Sequence, residues 1–445
     1  MSEFDIVVIG GGEAGISAAL HATHLGARVC LVNREAELGG GCVRTGTLPS
    51  KILSNAAHFL EDLKKGKRYG VPVVADAKAD YKTILESRHK TTLCELGVLA
   101  TLLRKNAIAT LTGAAAFKGP RAIEVRLPDG ATRVLDAPKT VIATGSRPMA
   151  LPGLPFDGRV VLSTDDLTVM DFRSLGAEVV IVEKADRALL GQDHDVAALI
   201  TREFKKRGIR LLLKTGLERV DKDGAGPVRA VLGGGETVEA DRVIVGVGRR
   251  PNTEEIGLAA AGITPGPRGE LQVDDRMQTP VPGIYAAGDV LARFRLSSMA
   301  VVEARVAAEN AMGLDVRMDY TCAPWGIYTD PEVGSVGVTE EWAAADGRPF
   351  VVGQCGYNDL VRSCLDANIT GFFKLIFDAA TRRLIGAHVA GQDASEIVHF
   401  AALAVKMGAR AEDLRDMVYN HPTVSEGFGK AAADALKKLD QRTPS

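Results

Sequence analysis

The stretch FDIVVIGGGEAGISAALHATHLGARVCLVN, from Phe4 to Asn33, constrains the fold more than any other part of the chain. An apolar run, Ile6 to Ile9, leads into Gly10-x-Gly12-x-x-Gly15. Small apolar residues follow at helical spacing (Ala18, Ala19, Ala22), and Arg28 to Val32 reads as a second strand. Strand, glycine turn, helix and strand in this order form the βαβ unit that binds a dinucleotide. Gly10 makes the tight turn. Gly12 lets the backbone approach a pyrophosphate, and Gly15 lets the helix pack closely on the strand. The helix N-terminus then faces the phosphate charge. A dinucleotide site implies an α/β fold with a parallel sheet.

The second strand of such a unit ends in an acid for the ribose hydroxyls. Here it ends in Asn33, with Glu35 two positions on. Asn accepts a hydrogen bond without charge assistance, so binding is expected to be somewhat weaker. Two later segments share the strand-then-turn pattern. TVIATGSRP, Thr140 to Pro148, carries Thr144-Gly145, and GIYAAGDV, Gly283 to Val290, ends in Gly288-Asp289.

With these segments in place, the chain resembles the pyridine nucleotide-disulfide oxidoreductases, the family of glutathione reductase, dihydrolipoamide dehydrogenase and mercuric reductase. The resemblance runs over nearly the whole chain. It implies FAD as cofactor, with Asp289 on its ribityl and phosphate region. It also implies two dinucleotide-binding domains and an α+β dimerisation domain. The segments GIYTDPEVGSVGVTEE (326–341), GFFKLIFDAATRRLIGAHVAGQDASEIVH (371–399) and NHPTVSEGF (420–428) resemble that last domain. FFKLIF and LIGAHV alternate as two strands across the turn DAATRR, and ASEIVHFAALAVKMG has helical apolar spacing.

Members of the family carry two cysteines in the segment that here reads LGGGCVRTGTLPSKIL, 38–53. Cys42 is present, and Thr47 stands where the second would be. Thr forms no disulfide, so the usual dithiol relay is absent and reduction of glutathione disulfide or lipoamide by that route is not expected. The segment, with PWGIYTDPEVGSVG, is similar to the soluble, Si-specific NAD(P)+ transhydrogenases. That similarity implies hydride transfer between NADPH and NAD+ through FAD. Gly41, Cys42 and Lys51 are then expected against the flavin, with Lys51 near its N5. Cys42 is expected either as a small packing residue or as a low-pKa thiol beside a helix starting near Pro49. His421 and Glu426, in His421-Pro422-Thr423-x-x-Glu426, match the family's acid–base pair supplied from the partner subunit. The transhydrogenases usually carry a different residue at the histidine, so His421 is expected to act as a base or to be a structural remnant.

One expected element is missing. The family has a second βαβ unit for the nicotinamide nucleotide. SLGAEVVIVEKADRALL, 174–190, resembles its second strand, with Glu183 as the ribose acid, and DRVIVGVGRRPN, 241–252, resembles the loop along that cofactor through Gly248. Ahead of Glu183, VVLSTDDL (160–167) leads into the domain and only TVMDFR (168–173) separates the two. Counting back from Glu183 by the spacing of Asp5 to Asn33 reaches Pro155, and no GxGxxG lies between them. The first strand, glycine turn and most of the helix are gone. The helix that carried the family glutamate facing Lys51 goes with them, so Lys51 is left without an assigned counter-ion. The strands beside the lost one are expected to re-pair or to leave backbone groups open.

The chain of 445 residues suggests roughly three domains. The organisation expected is an FAD domain at 1–150 and 280–318, a truncated NAD(P)-binding-like domain at 151–279, and an interface domain at 319–445. A net charge of −2, with only short basic runs such as Lys64 to Arg68, argues against nucleic acid. No apolar run reaches the length of a membrane span, and no secretory signal is expected, because the N-terminus enters a strand pattern almost at once. Six cysteines at 30, 42, 94, 322, 355 and 364 form no CxxC pair. A reducing cytoplasm is expected, and scattered cysteines and histidines argue against a metal. The reading is a cytoplasmic homodimeric FAD enzyme of the transhydrogenase type, with NAD(P)H use in doubt. The alternative is a flavoprotein of the same fold that takes electrons elsewhere or merely binds flavin.

Overall fold

The structure is a computed structural model that describes residues 2–72, 78–166, 173, 175–222 and 227–442. Most of the 168–173 junction lies outside the described residues. The first part runs β1 (Ile6–Ile9), α1 (Glu13–His24), β2 (Val29–Asn33), α2 (Gly40–Arg44), α3 (Thr47–Lys65), α4 (Tyr81–Lys105) and β3 (Ala109–Thr112). A meander of β4 (Ala114–Gly119), β5 (Ala122–Arg126) and β6 (Thr132–Asp136) leads to β7 (Lys139–Ile142). The helix expected near Pro49 starts two residues earlier, at Thr47.

In the middle part are β8 (Ser146–Pro148), β9 (Val161–Ser163), β10 (Val180–Val182), α5 (His194–Lys206) and β11 (Arg210–Leu212). A second meander, β12 (Leu217–Lys222), β13 (Val228–Leu232) and β14 (Thr237–Ala240), precedes β15 (Val243–Val245) and β16 (Arg249–Pro251). The chain returns to the first core with β17 (Ile284–Ala286) and α6 (Ser297–Ala311). The last part has β18 (Trp325–Ile327), β19 (Val333–Gly337), β20 (Phe350–Gly356), β21 (Phe372–Asp378), β22 (Leu384–Ala390), α7 (Ala394–Met407) and α8 (Glu426–Arg442).

The first sheet is parallel, in the order β17-β7-β1-β2-β3. β1 lies in its centre with all four residues buried, because a parallel sheet covered by helices on both faces reads as continuous apolar strands. α1 packs on α6, and Ala18, Ala19 and Ala22 are fully buried there with Ala304, Ala307 and Ala308. β17 joins this sheet from 140 residues further along the chain, so the unit is discontinuous. We propose domain limits at 1–150 with 280–318, 151–279 and 319–445 on this pattern.

The middle part lacks a continuous sheet among the described residues. β10 pairs only with β11 and β9 only with β15, both parallel. Two fragments of two strands each are what a parallel sheet leaves when a central strand is removed. The α5 side of the first fragment does not close on the second. Val196, Leu199, Ile200 and Phe204 of α5 cluster with Val333 of β19 and Ala390 of β22. The C-terminal sheet is antiparallel, in the order β18-β19-β22-β21-β20, with α7 and α8 against it.

Candidate functional site

The glycine turn after β1 is built by close backbone approach. Gly10 has φ +113°, and a Cβ there would meet the carbonyl oxygen of Ala143, after β7, at 2.2 Å. A Cβ on Gly15 would lie 1.7 Å from the carbonyl oxygen of Gly10, so only glycine lets α1 sit this close to the strand. Gly12 differs, because its nearest neighbour is the Cα of Gly40 at 3.7 Å. It is the N-cap of α1, and no side chain caps it. Open, uncapped N–H groups at a helix start are what an anionic pyrophosphate needs.

Asn33 does a different job from the one expected of a ribose ligand. Its Oδ1 accepts the Gly11 N–H at 2.9 Å, and its Nδ2 donates to the carbonyls of Glu35 (2.7 Å) and Glu37 (2.8 Å). Both ends of the amide therefore brace the fingerprint turn and the loop after β2.

Across the cleft, the Thr144 hydroxyl donates to the Asn252 carbonyl at 2.7 Å, and the Gly145 carbonyl accepts the Asn252 N–H at 2.9 Å. Gly248 accepts the Met149 N–H at 2.9 Å. Asp289 follows Gly288 at the end of β17 and accepts a 2.5 Å hydrogen bond from the Ser146 hydroxyl. Ser146 in turn accepts from Arg249 Nε at 2.8 Å, and Arg249 Nη1 pairs with Asp165 at 2.5 Å. The fingerprint turn, the Thr144-Gly145 turn and Asp289 all stand at the ends of adjacent parallel strands, where open α/β sheets bind ligands. The cradle fits FAD.

Cys42 sits in α2 below this cleft, and its sulfur accepts a hydrogen bond from the Ser297 hydroxyl at 3.4 Å. Burial pushes its pKa up; the Ser297 hydrogen bond opposes this, and the nearby Glu13 carboxylate adds to it. Burial beside a carboxylate favours the packing reading of Cys42 over the low-pKa one. Gly41 is exposed at the start of α2, and its carbonyl accepts the Thr45 and Gly46 N–H groups. Lys51, on α3, has its Nζ 3.5 Å from the centre of the Tyr328 ring, a cation–π contact with the residue after β18. Sequence reasoning missed this partner.

Glu183 follows β10, and its carboxylate accepts the Ala185 N–H at 2.8 Å. It stands on the detached β10–β11 fragment, apart from the β9–β15 pair. His421 and Glu426 come together, Nδ1 to Oε1 at 2.7 Å, with the imidazole largely exposed and the carboxylate mostly covered. A carboxylate on Nδ1 fixes the ring and leaves Nε2 facing outward.

The chain belongs to the pyridine nucleotide-disulphide oxidoreductase family, which it matches over residues 4–171 and 166–308. Residues 323–432 match the family's dimerisation domain, which supports a homodimer. FAD and NAD(H) are the cofactors of this family. Its relatives include the dihydrolipoyl dehydrogenase of Thermus scotoductus, 36% identical over 465 aligned positions covering 98% of each chain. Those of Trypanosoma brucei brucei and Bacillus subtilis are 33% and 32% identical, and each comparison covers 98% of this chain and 97% of the relative. Among solved structures, LpdA from Mycobacterium tuberculosis superposes with a TM-score of 0.90 at 25% identity, covering 96% of this chain and 98% of that one.

These relatives correct the transhydrogenase expectation. They are dihydrolipoyl dehydrogenases matched end to end, whereas that expectation rested on the Cys42–Lys51 segment and a short stretch after Pro324. The family match is also broken at 166–171. The alignment to the Thermus enzyme is longer than this chain of 445 residues. Both agree with an internal segment that the relatives have and this chain lacks. No helix among the described residues is long and apolar enough to cross a membrane.

Proposed function

We propose that the chain is an FAD-dependent NAD(H) oxidoreductase whose other substrate is a small dithiol of the dihydrolipoyl class. The His421–Glu426 pair, in a chain whose full-length relatives are dihydrolipoyl dehydrogenases, carries the reading. An oriented imidazole has no task in passing hydride between two nicotinamides. It has one in taking a proton from a thiol.

Thr47 modifies the route and leaves the substrate class unchanged. An enzyme with two cysteines holds two electrons in its own thiols. Here Cys42 has the Thr47 hydroxyl and no second thiol beside it, and burial favours its thiol form. The substrate must present both of its sulfurs to the cleft itself. Its oxidation releases two electrons and two protons as the two sulfurs join. His421, from the second subunit, takes a proton on Nε2 while Glu426 stabilises the imidazolium. FAD, when bound, would supply the acceptor for the two electrons and the second proton, and NAD+ would be the final acceptor. The residues proposed around the flavin are Gly10, Gly12, Gly15, Gly41, Cys42, Lys51, Thr144, Gly145 and Asp289. Glu183 and Gly248 are proposed for the nicotinamide nucleotide.

The split sheet implies weak NAD(H) binding. The missing glycine turn would have given several hydrogen bonds to a pyrophosphate, each worth about 1.5–3 kcal/mol. The test is anaerobic mixing of purified protein with dihydrolipoamide, followed in the flavin band, with and without NAD+. Bleaching by dihydrolipoamide, slowed at least about tenfold in His421→Ala, is expected. A flavin band unchanged by dihydrolipoamide refutes the reading.

A further inference from the structure

Glu303 is a buried carboxylate in the middle of α6, a helix otherwise rich in alanine and valine, and only 3% of it is exposed. Its two oxygens are used separately. Oε2 accepts the Gly288 N–H at 2.8 Å, and Oε1 accepts the Tyr320 hydroxyl at 2.9 Å. Tyr320 is itself held, because its oxygen accepts from Arg293 Nη1 at 3.1 Å and its ring stacks on Phe294 with centres 5.1 Å apart. Gly288 has φ +81°, and a Cβ there would come within 3.1 Å of Ala14 on α1 and 3.3 Å of Ala300 on α6. The peptide ahead of Asp289 is thus fixed from one side by two helices and from below by a carboxylate. On the cleft side, Asp289 accepts from the Ser146 hydroxyl, and Arg249 Nε stands 4.0 Å from its carboxylate.

We propose that Glu303 is the positioning residue for the FAD site, holding the Gly288-Asp289 turn so that Asp289 points into the cleft. The proposal rests on the reading of Asp289 as an FAD residue. Its chemistry is plain. A turn in the left-handed region ends a strand with a free N–H, and a buried anion is the strongest acceptor available to it. Neutralising that anion weakens the bond that sets the turn. The charged groups facing Glu303 are Asp289 and Arg293 from the segment after β17 and the phenol of Tyr320; α1 offers only the methyl group of Ala14 beside the turn. Burial moves the carboxyl above the usual glutamate range, the Gly288 and Tyr320 hydrogen bonds oppose this, as does Arg293, and Asp289 adds to it. Acid should therefore loosen FAD at a higher pH than ordinary carboxylates would cause.

The experiment measures FAD binding by fluorescence quenching on flavin-stripped full-length protein, across pH, for wild type, Glu303→Gln, Glu303→Asp and Tyr320→Phe. Wild type should lose affinity as the pH falls through the protonation of Glu303. Glu303→Gln should bind about three- to tenfold more weakly near neutrality, the loss of one charge-assisted bond, and show no such acid step. Glu303→Asp should keep the step even with weakened binding. Tyr320→Phe should shift the step and keep it. Thermal unfolding of the flavin-free proteins controls for a merely structural loss, which would lower stability without flattening the pH profile. A wild-type protein that takes up no FAD sinks the site reading itself. FAD-binding protein whose Glu303→Gln variant keeps wild-type affinity and the same acid step overturns the positioning role alone. If Glu303→Gln does not fold, loss of the step in Glu303→Asp overturns it.

Discussion

Lys374 offers the sharpest test of how the truncated middle region is held. The residue lies in β21, 1% exposed, and its ammonium meets Asp193 at 2.8 Å, Asp195 at 2.7 Å and Glu340 at 2.6 Å. Asp193 is completely buried and caps α5 by accepting the Asp195 N–H at 3.0 Å. Burial alone would push its pKa up, yet the hydrogen bond from Lys374 holds it below the ordinary aspartate range. Lys374→Met removes the cation and leaves a buried anion. Breaking a buried pair in this way costs about 3–5 kcal/mol. Asp195 and Glu340 are partly exposed and recover water, so they add little. The loss should fall on α5 and β10–β11 first, because these have no sheet partner on the far side.

Hydrogen exchange read by peptide is the assay, with urea unfolding as support. Amides of 194–212 should lose protection by the full amount, while those of β1 and α1 keep theirs. The double variant Lys374→Met/Asp193→Asn should regain about half of the loss, since the orphaned charge is gone. The sign with pH follows from the lowered Asp193 pKa. Its contribution is present above the unfolded aspartate pKa and fades as pH falls through the depressed folded value. A single variant within about 1 kcal/mol of wild type, or a double variant no better than the single, refutes the reasoning.

Two further outcomes are expected. Gly12→Val should strip FAD from the protein, because a branched side chain would fill the open ground above the α1 N-terminus; flavin content near one per chain in this variant would show that the pyrophosphate lies elsewhere. Thr47→Cys should create a dithiol with Cys42, read as two additional titratable thiols after dihydrolipoamide reduction, and no change in thiol count would place position 47 out of reach of the Cys42 sulfur.

Local geometry was legible in the sequence, and contacts between distant segments were not. Gly10, Gly12 and Gly15 announce themselves because turn, phosphate approach and helix packing all fall within one short stretch. The missing second unit was legible in the same way, and the sheet is duly split into β10–β11 and β9–β15. The bracing role of Asn33 was not legible because its partner, the Gly11 N–H, lies on another segment, beyond β1. Lys51 lacked an assigned partner because Tyr328 comes from the last part of the chain. Glu303 went unnoticed, although a carboxylate set directly between valine and alanine in Ser297–Ala311 is a usable sign of a buried acceptor. The choice of activity failed for a related reason. Thr47 and its neighbours describe one wall of a pocket, whereas the His421–Glu426 pair and the full-length relatives bear on the substrate.

The docking of α5 onto β19 and β22 bears on how the chain is made. Residues 180–212 leave the ribosome well before their partners, Lys374 and the strand ending at Ala390, have been synthesised. At about 5–20 residues per second, the intervening stretch of about 180 residues takes roughly 10–35 s to translate. Throughout that interval Val196, Ile200 and Phe204 have only the local cover of Val179, Ile181, Leu189 and Ile209, without Val333 and Ala390. An intact nucleotide domain would close on itself in that time. This chain instead leaves a nascent apolar segment waiting for its C-terminal half, so its yield in a cell should depend on chaperone supply more steeply than that of its full-length relatives.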